Sequence, residues 1–323
     1  MYYPNDLVIV LIPNVINNGY TYRLTAKADL GELVTVTVMN KKFFGVIIGR
    51  DNENTLAPEK IKPVLQTHGA KLPKTTLTWI EKMANWTMMP MGSVWKLMSS
   101  PADFAAAKKS SLKNYHDTNI ITLSPEQQTA ANAIKLDGFS ATLLDGITGS
   151  GKTQVYFDAV LRAYNNDNQV LLMMPEIALT AQFSERFEKR FGAPPVIWHS
   201  NLTPAQRRDI WHGILAGDIK MIVGTRSALF LPWQNLGLIV VDEEHDTSYK
   251  QEEMGNYHAR DMAVLMAKLG NFPIVLASAT PSFETLYNVD IGKYSRLCLI
   301  SRYGGASLPK IEIIDQRKKL EDS

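Results

Sequence analysis

The feature that most constrains this 323-residue chain is a glycine-rich octapeptide near its middle. It fits the phosphate-binding loop pattern G-x-x-x-x-G-K-[ST] at every fixed position. An apolar run at residues 142–144 precedes it and a helix-length segment at residues 154–163 follows it. Backbone N–H groups at the start of that helix would therefore face phosphate. The octapeptide is Gly146, Ile147, Thr148, Gly149, Ser150, Gly151, Lys152 and Thr153.

The second part of the chain, from residue 123 onward, alternates short apolar strands with helix-length segments. This alternation predicts an α/β fold with a parallel sheet that carries helices on both faces. The five apolar runs that we interpret as strands are residues 142–144, 170–174, 221–223, 238–241 and 274–277.

The first hundred residues have a different pattern. Residues 7–12 and 34–48 are rich in β-branched and aromatic side chains, and residues 40–42 interrupt the second run as a hairpin turn would. Residues 74–89 show helical spacing of apolar side chains. We therefore expect a small β-rich domain at 1–100, a linker at 101–121, the P-loop lobe at 122–300 and a tail at 301–323.

Composition limits the remaining classes of protein. Lys and Arg number 34 against 32 Asp and Glu, so the net charge gives no argument for a polyanionic partner and any nucleic-acid affinity must be local. Cys298 is the only cysteine, which excludes an internal disulfide and a zinc site made of several thiolates. The apolar run at residues 7–12 is too short to span a membrane. We expect a cytoplasmic protein without a membrane partner.

A second chemical motif follows the apolar run at residues 238–241, which leads into Asp242, Glu243, Glu244 and His245. Buried parallel strands deliver functional groups at their carboxyl ends. Beside the P-loop, Lys152 would neutralise phosphate charge, and Thr153 and Asp242 would hold Mg²⁺. Glu243 would orient and deprotonate an attacking water. Taken alone, such a motif is also typical of a solvated acidic turn.

Two weaker signals flank these motifs. Gln127 opens a helix that Ser124 would cap, and its amide could pair with an adenine edge, although, taken alone, such a glutamine is more typical of an ordinary polar helix residue. Residues 278–281, Ser-Ala-Thr-Pro, follow another apolar strand. Their hydroxyls could bond Asp242 and Glu243, or form a routine turn.

Taken together, the motifs resemble those of the PriA family (primosomal protein N′) of superfamily 2 replication-restart DNA helicases. The motifs are residues 146–153, 175–180, 224–230, 242–246 and 278–281. The resemblance is strong from about residue 123 to 315 and weaker before residue 101. It implies a RecA-like helicase lobe behind a small domain that grips a DNA 3′ end. It also implies ATP-dependent 3′-to-5′ unwinding during primosome assembly at stalled forks.

The resemblance assigns the site residues by motif. Catalysis falls to Lys152, Asp242 and Glu243. The ATP·Mg²⁺ site falls to Gly146, Thr148, Gly149, Ser150, Gly151, Lys152, Thr153, Gln127 and Asp242. Contacts to single-stranded DNA fall to Thr180, Thr225, Arg226, Tyr249, Lys250, Tyr257, His258 and Arg260.

The last five of these DNA-contacting residues belong to a segment that looks like the family's aromatic-rich loop, which links DNA binding to hydrolysis. Tyr249, Tyr257 and His258 offer faces on which unpaired bases can stack, and Lys250 and Arg260 offer charge. Without the flanking motifs, tyrosines in such a segment are more typical of packing residues.

Two departures from the family pattern bear on activity. About twenty residues separate Pro101 from the first helicase motif, which is too few for the winged-helix domain that relatives commonly carry. The chain also stops after residues 313–317, where the cysteine-rich zinc segment and the second lobe would begin. We therefore expect an amino-terminal half, a truncated or reduced protein, without the family's zinc ligands. The second lobe normally supplies arginines that complete the ATP site.

Three functions remain under comparison. The first is a DNA helicase whose partners are single-stranded and forked DNA, the primosome and single-strand-binding proteins. The second is an ATP-responsive DNA anchor without productive unwinding. The third, a small-molecule P-loop kinase, is disfavoured because a kinase does not need Glu243 poised for water.

Overall fold

The computed structural model describes residues 1–99, 113–118, 122–252 and 255–302. Most of the linker predicted at 101–121, and the tail predicted at 301–323 beyond residue 302, lie outside these residues. In the described part, two sheets form the framework: one antiparallel with five strands and one parallel with seven.

The amino-terminal sheet is antiparallel, with strand order β2-β1-β4-β3-β5. The β3–β4 hairpin turns at Met39 and Asn40, which have φ of 46° and 62°, next to the turn predicted at residues 40–42. Helices α1 and α2 follow the sheet. The elements are β1 Leu7–Leu11, β2 Tyr20–Arg23, β3 Glu32–Val38, β4 Lys41–Arg50, β5 Gln66–Lys71, α1 Lys74–Thr87 and α2 Met91–Met98.

The second sheet has the strand order β14-β6-β13-β10-β7-β9-β8, and every pair in it is parallel. Its strands are β6 Ala141–Gly146, β7 Gln169–Met173, β8 Ile197–Trp198, β9 Met221–Gly224, β10 Leu236–Asp242, β13 Ile274–Ser278 and β14 Ser295–Leu299. The helices are α3 Pro125–Ala133, α4 Lys152–Asn165, α5 Ala181–Phe191, α6 Pro204–Ala216, α7 Ala259–Gly270 and α8 Phe283–Asp290. A separate hairpin pairs β11 Lys250–Gln251 with β12 Tyr257–His258.

The five predicted strands correspond to β6, β7, β9, β10 and β13, so the predicted α/β class with a preceding β-rich domain is confirmed. These strands are almost entirely buried because helices cover both faces, which explains their continuous apolar sequences. The edge strands β8 and β14 were not predicted. β8 has two residues, and β14 is mostly exposed, so neither shows a continuous apolar run.

The two domains share one hydrophobic core. Trp79 of α1 is fully buried, and its indole Nε1 donates a hydrogen bond to the backbone oxygen of Met262 in α7 at 3.0 Å. Its ring packs on Phe230 with centroids 5.5 Å apart. Trp211 of α6 likewise donates to the backbone oxygen of Met98 at 2.8 Å. The amino-terminal domain is therefore fixed to the parallel lobe by buried contacts.

Part of the segment predicted as a linker is described and lies on the lobe. Tyr115 is buried, and its ring meets those of Phe187 and Phe191 edge-on. The backbone N–H of His116 donates to the oxygen of Phe191 at 3.1 Å. Residues 113–118 therefore extend the lobe's packing over α5. In the described residues, no helix has both the length and the apolar character needed to cross a bilayer.

The indole of Trp79 gives a test of the shared core. Trp79→Phe keeps a ring but removes the indole hydrogen bond to the Met262 oxygen and leaves a cavity, so we expect the free energy of unfolding to fall by about 2 kcal/mol. Urea denaturation measures it. Trp86, on the same helix but 70% exposed, is the matched control, and Trp86→Phe should change stability by less than about 0.5 kcal/mol. Equal effects of the two substitutions would contradict the shared core.

Candidate nucleotide-binding site and nucleic-acid interface

The glycine-rich loop joins β6 to α4, which begins at Lys152, two residues before the predicted start. Two glycines of the loop lie close to neighbouring side chains. A Cβ on Gly151, whose φ is +85°, would lie 2.2 Å from the Gln127 Nε2 atom. A Cβ on Gly146 would lie 2.6 Å from the Ser150 hydroxyl oxygen. A side chain at either position would therefore displace Gln127 or Ser150, and at Gly151 the positive φ would add backbone strain.

Polar groups point into the loop from its own residues. Lys152 is buried, and its Nζ donates to the backbone oxygen of Gly146 at 2.7 Å. The Ser150 hydroxyl is buried and has no hydrogen-bond partner among the described residues. A buried hydroxyl without a partner is costly unless a ligand or water satisfies it. These groups fit a phosphate, which accepts hydrogen bonds and carries negative charge.

Gln127 supports the loop from helix α3. Its backbone and side chain form the predicted capping box with Ser124, with Oε1 accepting from the Ser124 N–H at 3.0 Å. Its Nε2 donates to the backbone oxygen of Ser150 at 2.8 Å. In this conformation the amide holds the loop, so recognition of adenine by Gln127, which stays a prediction, would have to replace one of these bonds.

Asp242 is the last residue of β10, and β13 separates β10 from β6 in the sheet. The Tyr156 hydroxyl, from helix α4, donates to the Asp242 carboxylate at 2.9 Å. The Tyr249 hydroxyl donates to the Asp242 backbone oxygen at 2.7 Å. Burial raises the pKa of Asp242 to about 6, and the hydrogen bond from Tyr156 opposes part of that rise.

The P-loop and the acidic motif line the same cleft, which has a volume of about 500 Å³. Thr153 and Asp242 both contribute to it, and their hydroxyl and carboxylate oxygens are the hard ligands that Mg²⁺ takes. Arg186 of α5 also lines the cleft, and sequence reasoning missed it because nothing there separates it from neighbouring basic residues. The lining residues are Thr148, Gly149, Gly151, Lys152, Thr153, Gln154, Arg186, Asp242 and Glu243.

The motif at residues 278–281 contacts the acidic motif through a histidine. The Ser278 hydroxyl and the His245 Nδ1 atom lie 2.7 Å apart in a hydrogen bond, and Ser278 also accepts from the Thr280 N–H at 3.0 Å. We expected this motif to bond Asp242 and Glu243 directly. In the structure it instead contacts His245, which follows them in the acidic motif. His245 itself lies 3.7 Å from the Glu243 carboxylate.

A second cleft, of about 510 Å³, lies beside the carboxyl ends of β7 and β9. It brings together Thr225, Arg226 and Tyr257 from the set predicted to contact DNA. Leu97 of the amino-terminal domain lines the same cleft. Arg226 reaches across to the segment after β10, donating to the backbone oxygens of Ser248 at 2.9 Å and Lys250 at 2.8 Å.

The predicted DNA contacts differ in exposure. Exposed Thr180 caps helix α5 by accepting from the Phe183 N–H at 3.1 Å, and Lys250 is exposed with Glu252 2.9 Å away. His258 is half-buried.

Three of the predicted contacts are buried. Tyr249 is fully buried, Tyr257 is packed on Phe230 at a centroid distance of 5.4 Å, and Arg260 lies in the interior. In this conformation Tyr249 and Arg260 are not available to DNA, because almost none of either side chain is exposed to solvent. The two tyrosines have the packing role that the sequence left as an alternative.

Comparison with known proteins gives two family matches. The DEAD/DEAH box helicase family matches residues 124–289. The 3′DNA-binding domain (3′BD) of PriA matches residues 8–100. The matches correspond to the parallel lobe and to the antiparallel domain described above.

Curated relatives extend the comparison. The Replication restart protein PriA of Rickettsia felis is 41% identical over 299 residues, which are 90% of this chain and 45% of the relative. The protein of the same name in Bacillus subtilis is 37% identical over 65% of this chain and 27% of its own length. The chain thus spans less than half the length of these relatives. The resemblance inferred from the motifs is confirmed.

Among solved structures, the Pyrococcus furiosus Hef helicase domain matches 53% of this chain and 38% of its own chain, with 20% identity and a TM-score of 0.41.

The raised pKa of Asp242 predicts how stability depends on pH. An unfolded aspartate titrates at about 3.9, so between pH 4 and 6 the folded state binds more protons and its stability falls as the pH rises. Asp242→Asn removes this titration. In metal-free buffer, the wild type should lose on the order of 2 kcal/mol relative to the variant from pH 4 to pH 7. Thermal unfolding measures the difference, and parallel pH profiles would contradict the raised pKa.

Proposed function

We propose, from the premise that this chain belongs to the DEAD/DEAH box helicase family, that it carries the ATP-binding and DNA-binding functions of a replication-restart helicase. The observation on which the proposal depends is the single cleft that the P-loop shares with Asp242 and Glu243. Similarity to PriA proteins supports the helicase class. The use of ATP and Mg²⁺, and movement from 3′ to 5′, belong to the proposal.

The residues of the cleft divide the work of ATP hydrolysis. Lys152 leaves the Gly146 oxygen and neutralises charge on the β- and γ-phosphates, and backbone N–H groups at the start of α4 bind phosphate oxygens. Thr153 and Asp242 would hold Mg²⁺, which neutralises developing phosphate charge when bound. Glu243 orients the attacking water and accepts its proton. Gln127 would recognise adenine after releasing Ser150.

Single-stranded DNA follows the edge where the parallel strands end. The hydroxyls of Thr180 and Thr225 and the charges of Arg226 and Lys250 suit phosphate contacts, which need no sequence preference. Tyr257 and His258 would stack bases if the segment around them opened. The cleft beside Leu97 continues this edge to the amino-terminal domain, which we propose binds a DNA 3′ end.

The activity of a whole replication-restart protein is proposed only at the level of class. Fork recognition, primosome assembly and contact with single-strand-binding proteins are further proposals, as is a cytoplasmic location. The chain spans 45% of its Rickettsia relative.

Substitutions at the cleft test hydrolysis. Lys152→Ala should weaken ATP binding at least tenfold, because the buried phosphate partner is lost. Glu243→Gln should leave ATP affinity within about twofold and lower DNA-stimulated turnover by about 10²–10⁴-fold. Fluorescent-nucleotide titration and a phosphate-release assay with and without single-stranded DNA provide the two measurements.

The control is Glu185→Gln on the exposed face of α5, which should match the wild type in both assays. ATP binding without DNA-stimulated turnover in the wild type would favour a DNA anchor over a motor. Wild-type turnover in Glu243→Gln would contradict the proposed base.

Lys250 tests the DNA path. Lys250→Ala should weaken binding of every single-stranded sequence to a similar degree and reduce the slope of log affinity against log salt by about 0.7. Lys189→Ala is a matched control, since Lys189 is also exposed and lies 2.7 Å from a glutamate, Glu185. Fluorescence anisotropy at several salt concentrations measures the slope. Equal slopes for the two variants would move the DNA path away from Lys250.

A further inference from the structure

A fully buried glutamate lies between the catalytic carboxylates and His245. Glu244 has no exposed surface, and its carboxylate accepts a hydrogen bond from Arg260 Nη1 at 2.8 Å. It also accepts from the Ser282 N–H at 2.7 Å and from the Thr285 hydroxyl at 2.9 Å. Arg260 donates in addition to the Ser282 hydroxyl at 2.6 Å. Glu244 therefore ties the end of β10 to the first turns of α7 and α8.

This network has no evident role as a net source of stability. Removing two charges from water is unfavourable, and their mutual attraction offsets that cost only with well-placed additional hydrogen bonds. An apolar pair of similar volume would often stabilise the fold as well or better. The ion pair is therefore better explained by its effect on the position of a neighbouring residue, Glu243.

Glu243, the residue before Glu244, has an unusual backbone. Its φ is +47°, in the left-handed region, which is unfavourable for a non-glycine residue. The residues on both sides are anchored: Asp242 by the hydroxyls of Tyr156 and Tyr249, and Glu244 by Arg260 and its partners. A strained residue persists when its surroundings determine its conformation. With this backbone, Glu243 lines the ATP cleft.

The helix that carries Arg260 is anchored in the core. Arg260 lies in the first turn of α7, and two residues later the backbone oxygen of Met262 accepts the indole hydrogen bond of Trp79 from the amino-terminal domain. Met262 and Ala263 are buried in the core that the two domains share. The backbone from which Arg260 projects is therefore held in that core.

We propose that Arg260 and Glu244 are positioning residues: their buried ion pair, with Thr285, holds Glu243 in the left-handed conformation that aims its carboxylate into the ATP cleft. This inference rests on the proposed ATP hydrolysis. It replaces the DNA-contacting role predicted for Arg260 by an internal one. The pair sets the geometry of the water-activating residue without touching the nucleotide.

Two substitutions of different severity test the inference. Arg260→Lys retains the charge but loses the planar donor geometry, and Thr285→Val removes one hydroxyl with little change in shape. We expect DNA-stimulated kcat to fall at least tenfold in Arg260→Lys and at least threefold in Thr285→Val. ATP affinity should stay within twofold of the wild type, because the P-loop is untouched.

Each substitution has a matched control. Arg190 is also buried and paired with a carboxylate, Asp117, at 2.6 Å, and Arg190→Lys should leave kcat within twofold. Thr142 is a buried threonine whose hydroxyl lies 2.9 Å from that of Ser295, and Thr142→Val should do the same. If kcat is unchanged in the test variants, or falls together with ATP affinity, the inference is overturned. If Arg260→Lys fails to fold, Thr285→Val decides.

Hydrogen exchange gives a readout that does not require hydrolysis. The Asp246 N–H donates to the Glu243 backbone oxygen at 2.8 Å, and the Glu244 N–H donates to the Ala277 oxygen at 3.1 Å. Exchange of these amides should accelerate at least tenfold in Arg260→Lys, with no change in the P-loop amides. Unchanged exchange at these amides overturns the inference. A wild type that fails to bind ATP would refute the proposed function, while the exchange result would still decide the positioning role.

Discussion

The parallel direction of seven strands is the constraint from which the rest of the site follows. Every strand of the seven-stranded sheet ends at the same edge, so the segments after β6, β7, β9, β10 and β13 meet there although they are distant in the chain. That edge carries both clefts, one lined by the P-loop and Asp242, the other by Thr225, Arg226 and Tyr257. The distance between a nucleotide and a DNA strand bound there would be set by strand order.

At this edge, the three carboxylates of the acidic motif are buried to different extents and lie in different surroundings. Asp242 is enclosed by two tyrosine hydroxyls and has a raised pKa, whereas Glu243 is partly exposed to the cleft. Glu244 is fully buried and balanced by Arg260. Three consecutive acidic residues thus have three environments, because the left-handed turn at Glu243 sends neighbouring side chains in different directions.

The amino-terminal domain contributes to this arrangement from a distance. Trp79 binds the backbone of α7 and packs on Phe230, while Phe230 packs on Tyr257. Helix α7, which carries Arg260, therefore packs between the parallel sheet and the amino-terminal domain. Packed side chains thus connect the amino-terminal domain, which is similar to a 3′DNA-binding domain, to the region around Asp242 and Glu243.

Periodicity and local pattern in the sequence were sufficient for the P-loop unit, the central strands, the β3–β4 hairpin and helix α1, because short-range sterics and burial on both faces leave a direct trace in residue order. They also indicated that the P-loop and Asp242 face one ligand, since parallel strands share an edge. The roles of Tyr249 and Arg260 could not be read in this way. A tyrosine or an arginine near a functional motif has the same local signature whether it faces DNA or the interior, and only the packing of α7 against α1 and β10 placed these two inside. Likewise, no local pattern distinguishes Arg186 from Lys189, because which side of a helix meets a cleft depends on elements far away in the chain.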